Sequence, residues 1–181
     1  MNAKNNNAAG LKELESACRR NAVALLREAK VLLDADLAPR SYFLAITCLE
    51  ELAKVQLIAD VLDGAQSLAA MKAAFRRHTN KFAYRRRTAT GDSYADTPMV
   101  FSELSKGEEL AKSRELALYV DYESASFMPV EPSKSVTPAT AASAIQACED
   151  ELSMINLLDL LPGGPTTRNA LELKRRSGGA A

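Results

Sequence analysis

The sequence predicts an all-α protein, a bundle of about five helices with one irregular segment before the last long helix. Apolar residues recur every three or four positions over long stretches of the chain, which is typical of amphipathic helices. Ala and Leu are abundant, Trp is absent and aromatic residues make up only 6% of the chain. Turn signals such as "DADLAPRS" and "LPGGP" separate the periodic stretches. Together these observations favour packed helices over a sheet.

The first three helices are marked by periodicity and by their ends. The first begins near Leu11, and its apolar seam continues to Leu32. The second covers residues 39–63, because Pro39 suits a first helical turn and "DG" is a C-terminal signal. The third begins near Ser67 and reaches the "TATGDS" stretch. We therefore expect three consecutive helices joined by short turns.

The second half of the chain is less regular. Residues 88–102 are rich in turn residues and predict a loop, and residues 104–118 predict a fourth helix. The stretch "LYVDYESASFMPVEPSKSV", residues 118–136, contains β-branched and aromatic residues followed by prolines, so it is extended or irregular. Thr137 as N-cap and Pro138 in the first turn then start the last helix, which "LPGGP" ends.

Length and composition bound the class of protein. We expect one domain over residues 11–162, a flexible N-terminus over residues 1–10 and a flexible basic tail over residues 163–181. No apolar run is long enough to span a bilayer and the start lacks a secretory signal, so we expect a cytoplasmic protein without membrane contact. The three Cys residues lie in apolar periodic stretches and predict buried thiols. A net charge of zero means that any nucleic-acid binding depends on a local patch.

Two neighbouring acids on the second helix are predicted to differ. A projection at about 100° per residue places Glu50 on the polar side, with Lys54 four residues on. The same projection places Glu51 at the flank of the apolar stripe, where an ionised carboxylate needs a partner. We therefore expect a group elsewhere in the fold to reach Glu51.

The only His in the chain, His78, is a candidate for that group. It shares the edge of the third helix's apolar face with Phe75 and Phe82, and Lys72 lies on the other flank of that face. If the second and third helices pack antiparallel, Glu51 and His78 come within reach, which would raise the imidazole pKa and suit a general acid or base. The alternative is a structural His that only satisfies a hydrogen bond at the edge of the core.

The stretch "RRHTNKFAYRRR", residues 76–87, surrounds His78 with positive charge. One interpretation is a docking surface for an anionic partner such as RNA, and the other is an ordinary solvated helix face. The arginines in question are Arg76, Arg77, Arg85, Arg86 and Arg87. The sequence shows no metal-ligand spacing, no phosphate-binding Gly loop and no nucleophilic triad, so we expect no cofactor and no metal.

Two stretches resemble known families. "RSYFLAITCLEELAKVQLI", residues 40–58, resembles the Leu-Glu-Glu-Leu-Ala-Lys helix of HEPN-type helical domains. "HTNK", residues 78–81, followed by "KSRELALYVDYESASFMPVEP", residues 112–132, resembles the His-x-x-Lys and Leu-Tyr-Val-Asp-Tyr segments of AbiV-type abortive infection proteins. The resemblance covers residues 11–160 and implies a HEPN-like bundle, a homodimer and a role in bacterial phage defence.

The resemblance also implies a chemistry. Many HEPN proteins are metal-independent ribonucleases, in which a ribose 2′-hydroxyl attacks the phosphate, a His transfers protons and an Arg four to six residues away stabilises the charge. Here the residue at that distance from His78 is Lys72, which supplies charge without the two-pronged grip of a guanidinium. The candidate catalytic residues are His78, Glu51, Lys81 and Lys72.

Two interpretations of function remain open. In the first, an abortive-infection protein acts on RNA or on the translation machinery, with RNA or a ribosome-associated molecule as partner and a phage protein as candidate activator. Arg114, Tyr119 and Asp121 would then complete the pocket or order the loop above it. In the second, the same bundle is a non-catalytic dimerisation or protein-interaction module, and its polar cluster only fixes the packing.

Overall fold

The computed structural model describes residues 3–76 and 107–160, and these ranges are helical with one short strand pair. The all-α prediction is confirmed, and six helices are present within the described ranges. In chain order the elements are α1 (Ala3–Asp34), α2 (Ala38–Leu62), α3 (Leu68–Phe75), α4 (Gly107–Leu116), β1 (Asp121–Tyr122), β2 (Pro129–Val130), α5 (Pro132–Ser135) and α6 (Pro138–Leu160).

Helices α1 and α2 pack as an antiparallel pair. The Ser41 hydroxyl donates a hydrogen bond of 2.7 Å to the carbonyl of Ala29, and the Cys48 thiol donates one of 3.2 Å to the carbonyl of Ala22. Later residues of α2 thus meet earlier residues of α1. Such short polar side chains let two helix backbones approach closely while their donors stay satisfied.

Helix α6 completes the core. Lys30 pairs with Glu149, and Arg19 pairs with Asp159 at 2.7 Å, so α6 runs antiparallel to α1. The N-terminus of α6 is capped as the sequence predicts, because the Thr137 hydroxyl accepts a hydrogen bond of 3.1 Å from the Thr140 amide. The three long helices therefore form the main packing unit.

Helix α2 lies at the centre of the molecule. It contacts all five other described helices. Its fully buried side chains include Ile46, Leu52 and Ile58, and polar residues on its other sides are buried as well. α2 is therefore buried on nearly all sides, whereas a helix with a single apolar face exposes its polar sides to water.

The turn between α2 and α3 follows from local signals. Asp63 caps the C-terminus of α2, and Gly64 follows with a φ of +76°, a conformation that costs glycine little. Ser67 then caps α3, because its side chain accepts a hydrogen bond from the Ala70 amide. Phe75 ends the helix and packs against the core, with Arg76 as the C-cap. The prediction that this helix continues from Ser67 to the "TATGDS" stretch is therefore wrong.

The irregular stretch lies within residues 107–136, which we call the α4–hairpin segment. β1 and β2 pair antiparallel, with Asp121 opposite Val130 and Tyr122 opposite Pro129. At the tip of the hairpin, Phe127 has a φ of +54°, in the left-handed region that a non-glycine residue rarely adopts. The prediction of an extended or irregular segment before the last long helix is thus confirmed, and the short helix α5 also lies within that segment.

Several other sequence predictions can be compared with the fold. α1 begins at Ala3, ahead of the apolar repeat that starts at Leu11, so its first turns are polar helix. Cys18, Cys48 and Cys148 are all buried free thiols, as predicted. The loop at residues 88–102 and the tail at residues 163–181 lie outside the described residues. Within residues 3–76 and 107–160 no helix combines the length and apolarity needed to cross a membrane.

Candidate functional site

Glu50 and Glu51 are adjacent on α2 and have different partners. The prediction that Glu50 lies on the polar surface with Lys54 is wrong, because the Glu50 side chain is only 4% exposed and pairs with Arg114 at 2.8 Å. Lys54 pairs instead with Glu51. The projection could not show that α4 covers the face of α2 that carries Glu50, which makes Glu50 more buried than Glu51.

The Glu51 carboxylate is largely buried and has partners, as the sequence led us to expect. Its side chain is 12% exposed, and Lys54 Nζ lies 2.5 Å from its Oε1 atom. The Cys18 thiol of α1 also hydrogen-bonds with the Glu51 carboxylate. Burial, together with the negative charge of Glu51, raises the pKa of the Cys18 thiol to about 11. Cys18 is therefore an uncharged donor beside Glu51 at neutral pH.

Lys54 connects Glu51 to the end of α3. Its Nζ atom lies 6.0 Å from the centre of the Phe75 ring, a cation–π arrangement. Because Lys54 lies well before the C-terminus of α2 and Phe75 is the last residue of α3, α3 runs back along α2. The end of α3 and Glu51 are thus on the same side of the molecule.

The Glu50–Arg114 pair is a polar contact between α2 and α4. The Arg114 guanidinium also lies 5.7 Å from the centre of the Phe43 ring. Next to Arg114 on α4, the Ser113 side chain hydrogen-bonds with the hydroxyl of Tyr42. Burial raises the pKa of Tyr42, and the hydrogen bond from Ser113 partly opposes that rise. These contacts join α4 to α2.

The structure describes only two of the remaining candidate residues in and near the basic stretch. Lys72 and Arg76 are exposed, with Lys72 in the last turn of α3 and Arg76 at its C-cap. The rest lie outside the described residues: Arg77, His78, Lys81, Arg85, Arg86 and Arg87. Their assignment to a site stays a prediction.

Of the three proposed pocket residues, Asp121 lines a groove that the described residues form. A shallow groove of about 440 Å³ lies between α4 and the hairpin, and Asp121 is part of its lining together with Lys112, Leu116 and Met128. Arg114 is turned towards Glu50 on α2. Tyr119 is 66% exposed. The role of these three residues in a pocket stays a prediction.

A buried carboxyl in the core was not singled out by the sequence. Glu151 of α6 is 7% exposed, and the Gln56 side chain of α2 donates a hydrogen bond to it. Burial raises the pKa of the Glu151 carboxyl to about 7. The helical spacing of Cys148, Leu152 and Ile155 around Glu151 places it on the buried seam, which could have revealed it.

Metal ligands do not cluster in this part of the chain. Among residues 3–76 and 107–160, no group of three or more His, Cys, Asp or Glu side chains is arranged to hold a metal ion. The acids around α2 contact Lys, Arg, Gln and Cys side chains instead. These contacts stabilise the negative charge of each carboxylate and fix its position. A carboxylate held in this way can position a catalytic base or orient a neighbouring helix.

The AbiV model of the HEPN type matches residues 10–152 of this chain, which is most of its length. The chain belongs to the AbiV family. Searches of curated proteins and of solved structures gave no significant match. This membership supports a role in phage defence by abortive infection. The matched region contains both glutamates of α2 and the whole α4–hairpin segment.

Proposed function

We propose that this AbiV protein defends bacteria against phage by acting on RNA or on the translation machinery, as a metal-independent ribonuclease. Its catalytic group consists of His78, Glu51, Lys81 and Lys72. The protein works in the cytoplasm as a homodimer, and a phage protein activates it. The proposal rests on family membership together with the surroundings of Glu51.

The observation that supports this site is the contact of Lys54 with both Glu51 and Phe75. His78 follows Phe75 by three residues, so the chain keeps the two Cα atoms within about 11 Å of each other. Glu51 therefore lies close to Phe75, from which the chain continues to His78. A carboxylate that is already desolvated and held in place is suited to orient an imidazole.

The chemistry follows from these side chains. The ribose 2′-hydroxyl attacks the adjacent phosphorus, and the P–O5′ bond breaks to give a 2′,3′-cyclic phosphate and a free 5′-hydroxyl. His78 takes the proton from the 2′-hydroxyl or delivers one to the leaving oxygen. Lys72 and Lys81 stabilise the negative charge that develops on the phosphate. The arginines at 76, 77 and 85–87 hold the RNA backbone.

The catalytic part of the proposal is tested by His78→Ala. We expect loss of RNA cleavage while the melting temperature stays within a few degrees, because a side chain that acts in catalysis and not in packing contributes little to stability. Lys134→Ala, which removes an exposed charge remote in sequence from this group, is the matched control and should cleave as the wild type does. Unchanged cleavage by His78→Ala, or a wild type that never cleaves RNA during phage infection, would reject the ribonuclease.

RNA docking is tested by the dependence of binding on salt. Several phosphate contacts predict that affinity falls steeply as salt rises, and reversing the charges of Arg85, Arg86 and Arg87 should flatten that slope. A control with the same charge change reverses Arg20, Arg27 and Lys134, which are exposed elsewhere. If both triple variants behave alike, the basic stretch is not the docking surface.

The second candidate function is a non-catalytic interaction module. It is favoured by the exposed apolar side chains of the α4–hairpin segment, which are Tyr119, Val120, Phe127 and Met128. Under this alternative His78→Ala leaves phage protection intact, whereas Phe127→Ser and Met128→Ser abolish it. The two functions are thus separated by which variant loses protection in infected cells.

A further inference from the structure

Few of the described side chains in the α4–hairpin segment are buried. Ala117 and Val136 are its buried apolar residues, among those whose side chains the structure describes. Every described side chain from residue 119 to residue 129 is exposed. Over that stretch the segment buries little apolar surface, and burial of such surface is what usually holds an element in place.

Polar contacts attach the segment to α2, in addition to the buried side chains of Ala117 and Val136. Arg114 pairs with Glu50 at 2.8 Å and lies over the ring of Phe43, while Ser113 hydrogen-bonds with Tyr42. All these contacts lie on two consecutive residues of α4. Among the described polar contacts with α2, the attachment is therefore concentrated on these two residues.

A buried ion pair makes such an attachment strongly dependent on both partners. If one partner is removed while the segment stays closed, the other charge is left without its partner away from water. If the segment opens, both charges gain water and the cost disappears. The pair therefore favours either a closed arrangement with both partners or an open one.

The hairpin itself is held together by its own hydrogen bonds. The Glu123 amide donates to the carbonyl of Met128 at 2.9 Å, and the Phe127 amide donates to the carbonyl of Glu123 at 2.8 Å. The Ser126 hydroxyl donates to the Glu123 carboxylate. These bonds lie within the segment, so they survive when its contact with α2 is lost.

We propose that residues 112–130 form a conformational unit that opens away from α2 while the three-helix core stays folded, and that the Glu50–Arg114 pair is the latch that keeps it closed. Opening exposes Tyr42 and Phe43 on α2. The proposal does not depend on ribonuclease activity, because it concerns only how the segment is attached.

Hydrogen exchange followed by mass spectrometry on the full chain tests the latch. In Arg114→Met we expect amides of residues 113–130 to exchange at least tenfold faster, while amides of residues 45–58 and 144–155 keep the wild-type rate. Glu50→Gln should show the same pattern, because it removes the charge on the other side of the pair. Lys134→Met, which breaks the exposed pair with Glu131 in the same segment, is the control and should change neither set.

A double variant separates a latch from a general loss of stability. Glu50→Leu combined with Arg114→Met replaces both charges by apolar side chains, so neither is left buried alone, and exchange of residues 113–130 should return towards the wild-type rate. Three outcomes would overturn the latch: equal acceleration of both sets of amides, an unchanged rate in Arg114→Met, or an Arg114→Met protein that does not fold. Each would mean that the segment does not open independently through this pair.

Discussion

The three long helices and the α4–hairpin segment are stabilised by different forces. Helices α1, α2 and α6 share a continuous apolar core, in which Ile46, Leu52 and Ile58 are fully buried. The α4–hairpin segment has a mostly exposed surface, and it is joined to α2 by a buried ion pair together with the buried side chains of Ala117 and Val136. Apolar burial is non-directional and depends on area, whereas a buried ion pair depends on two particular groups. The first region should tolerate changes that conserve volume, and the second should not tolerate loss of either charge.

The largest effect should come from a cavity in the three-helix core. Leu52→Ala should lower the free energy of unfolding by about 3 kcal/mol, because it removes a fully buried side chain that its neighbours cannot replace. Urea denaturation measures the loss. Leu116→Ala, in the α4–hairpin segment, should cost clearly less because Leu116 lines an open groove. Equal losses in the two variants would mean that the segment belongs to the core.

Glu151 should make the stability of the core depend on pH. Its pKa is about 7 in the folded protein and 4.5 in a model compound, so the unfolded state binds fewer protons between these values. Stability is therefore greatest below pH 4.5 as far as this group is concerned, and falls as pH rises through 7. The loss amounts to about 3 kcal/mol when the shift is converted at 1.36 kcal/mol per unit.

Glu151→Gln should remove most of that pH dependence and make the protein more stable than the wild type at pH 8. Urea denaturation at pH 5 and pH 8 measures the difference. Glu149→Gln is the matched control, because Glu149 is more exposed and pairs with Lys30. A wild type whose stability is the same at both pH values would show that Glu151 is not the titrating group.

A smaller effect should come from the caps that start two helices. Thr137→Ala should cost about 1 kcal/mol, because it removes the hydroxyl that accepts from the Thr140 amide at the start of α6. Ser67→Ala removes the equivalent contact at α3, a helix of eight residues with only Met71 buried. Since α3 can fray without opening the core, global unfolding should respond more to Thr137→Ala than to Ser67→Ala. The reverse order would show that α3 does not fray independently of the core.

Much of the fold could be predicted because its signals are local. The turn at Asp63–Gly64, the caps at Ser67 and Thr137 and the apolar seams each depend on residues close in sequence. The half-buried position of Glu51 followed from the same periodicity. These predictions succeed because helix geometry fixes which side chains share a face.

The partners of the two glutamates could not be predicted in the same way. Arg114 is 64 residues from Glu50, and only the folding of α4 against α2 brings them together. The sequence favoured Lys54 as the partner of Glu50, because four-residue spacing is a common surface pairing. Lys54 instead pairs with Glu51 at three-residue spacing. Both spacings are sterically allowed in a helix, so burial by other elements decides between them.

The amino-acid sequence by itself determined the helical class, the order of the helices, the buried cysteines and membership of the AbiV family. Periodicity, caps and motifs contain that information because they act over a few residues. The tertiary structure decided that α2 is surrounded on all sides, that Glu50 is a buried anchor and that Glu151 lies beside Gln56. These features depend on contacts between distant segments, because the environment of a polar side chain is set by whatever packs over it and not by its neighbours in the chain.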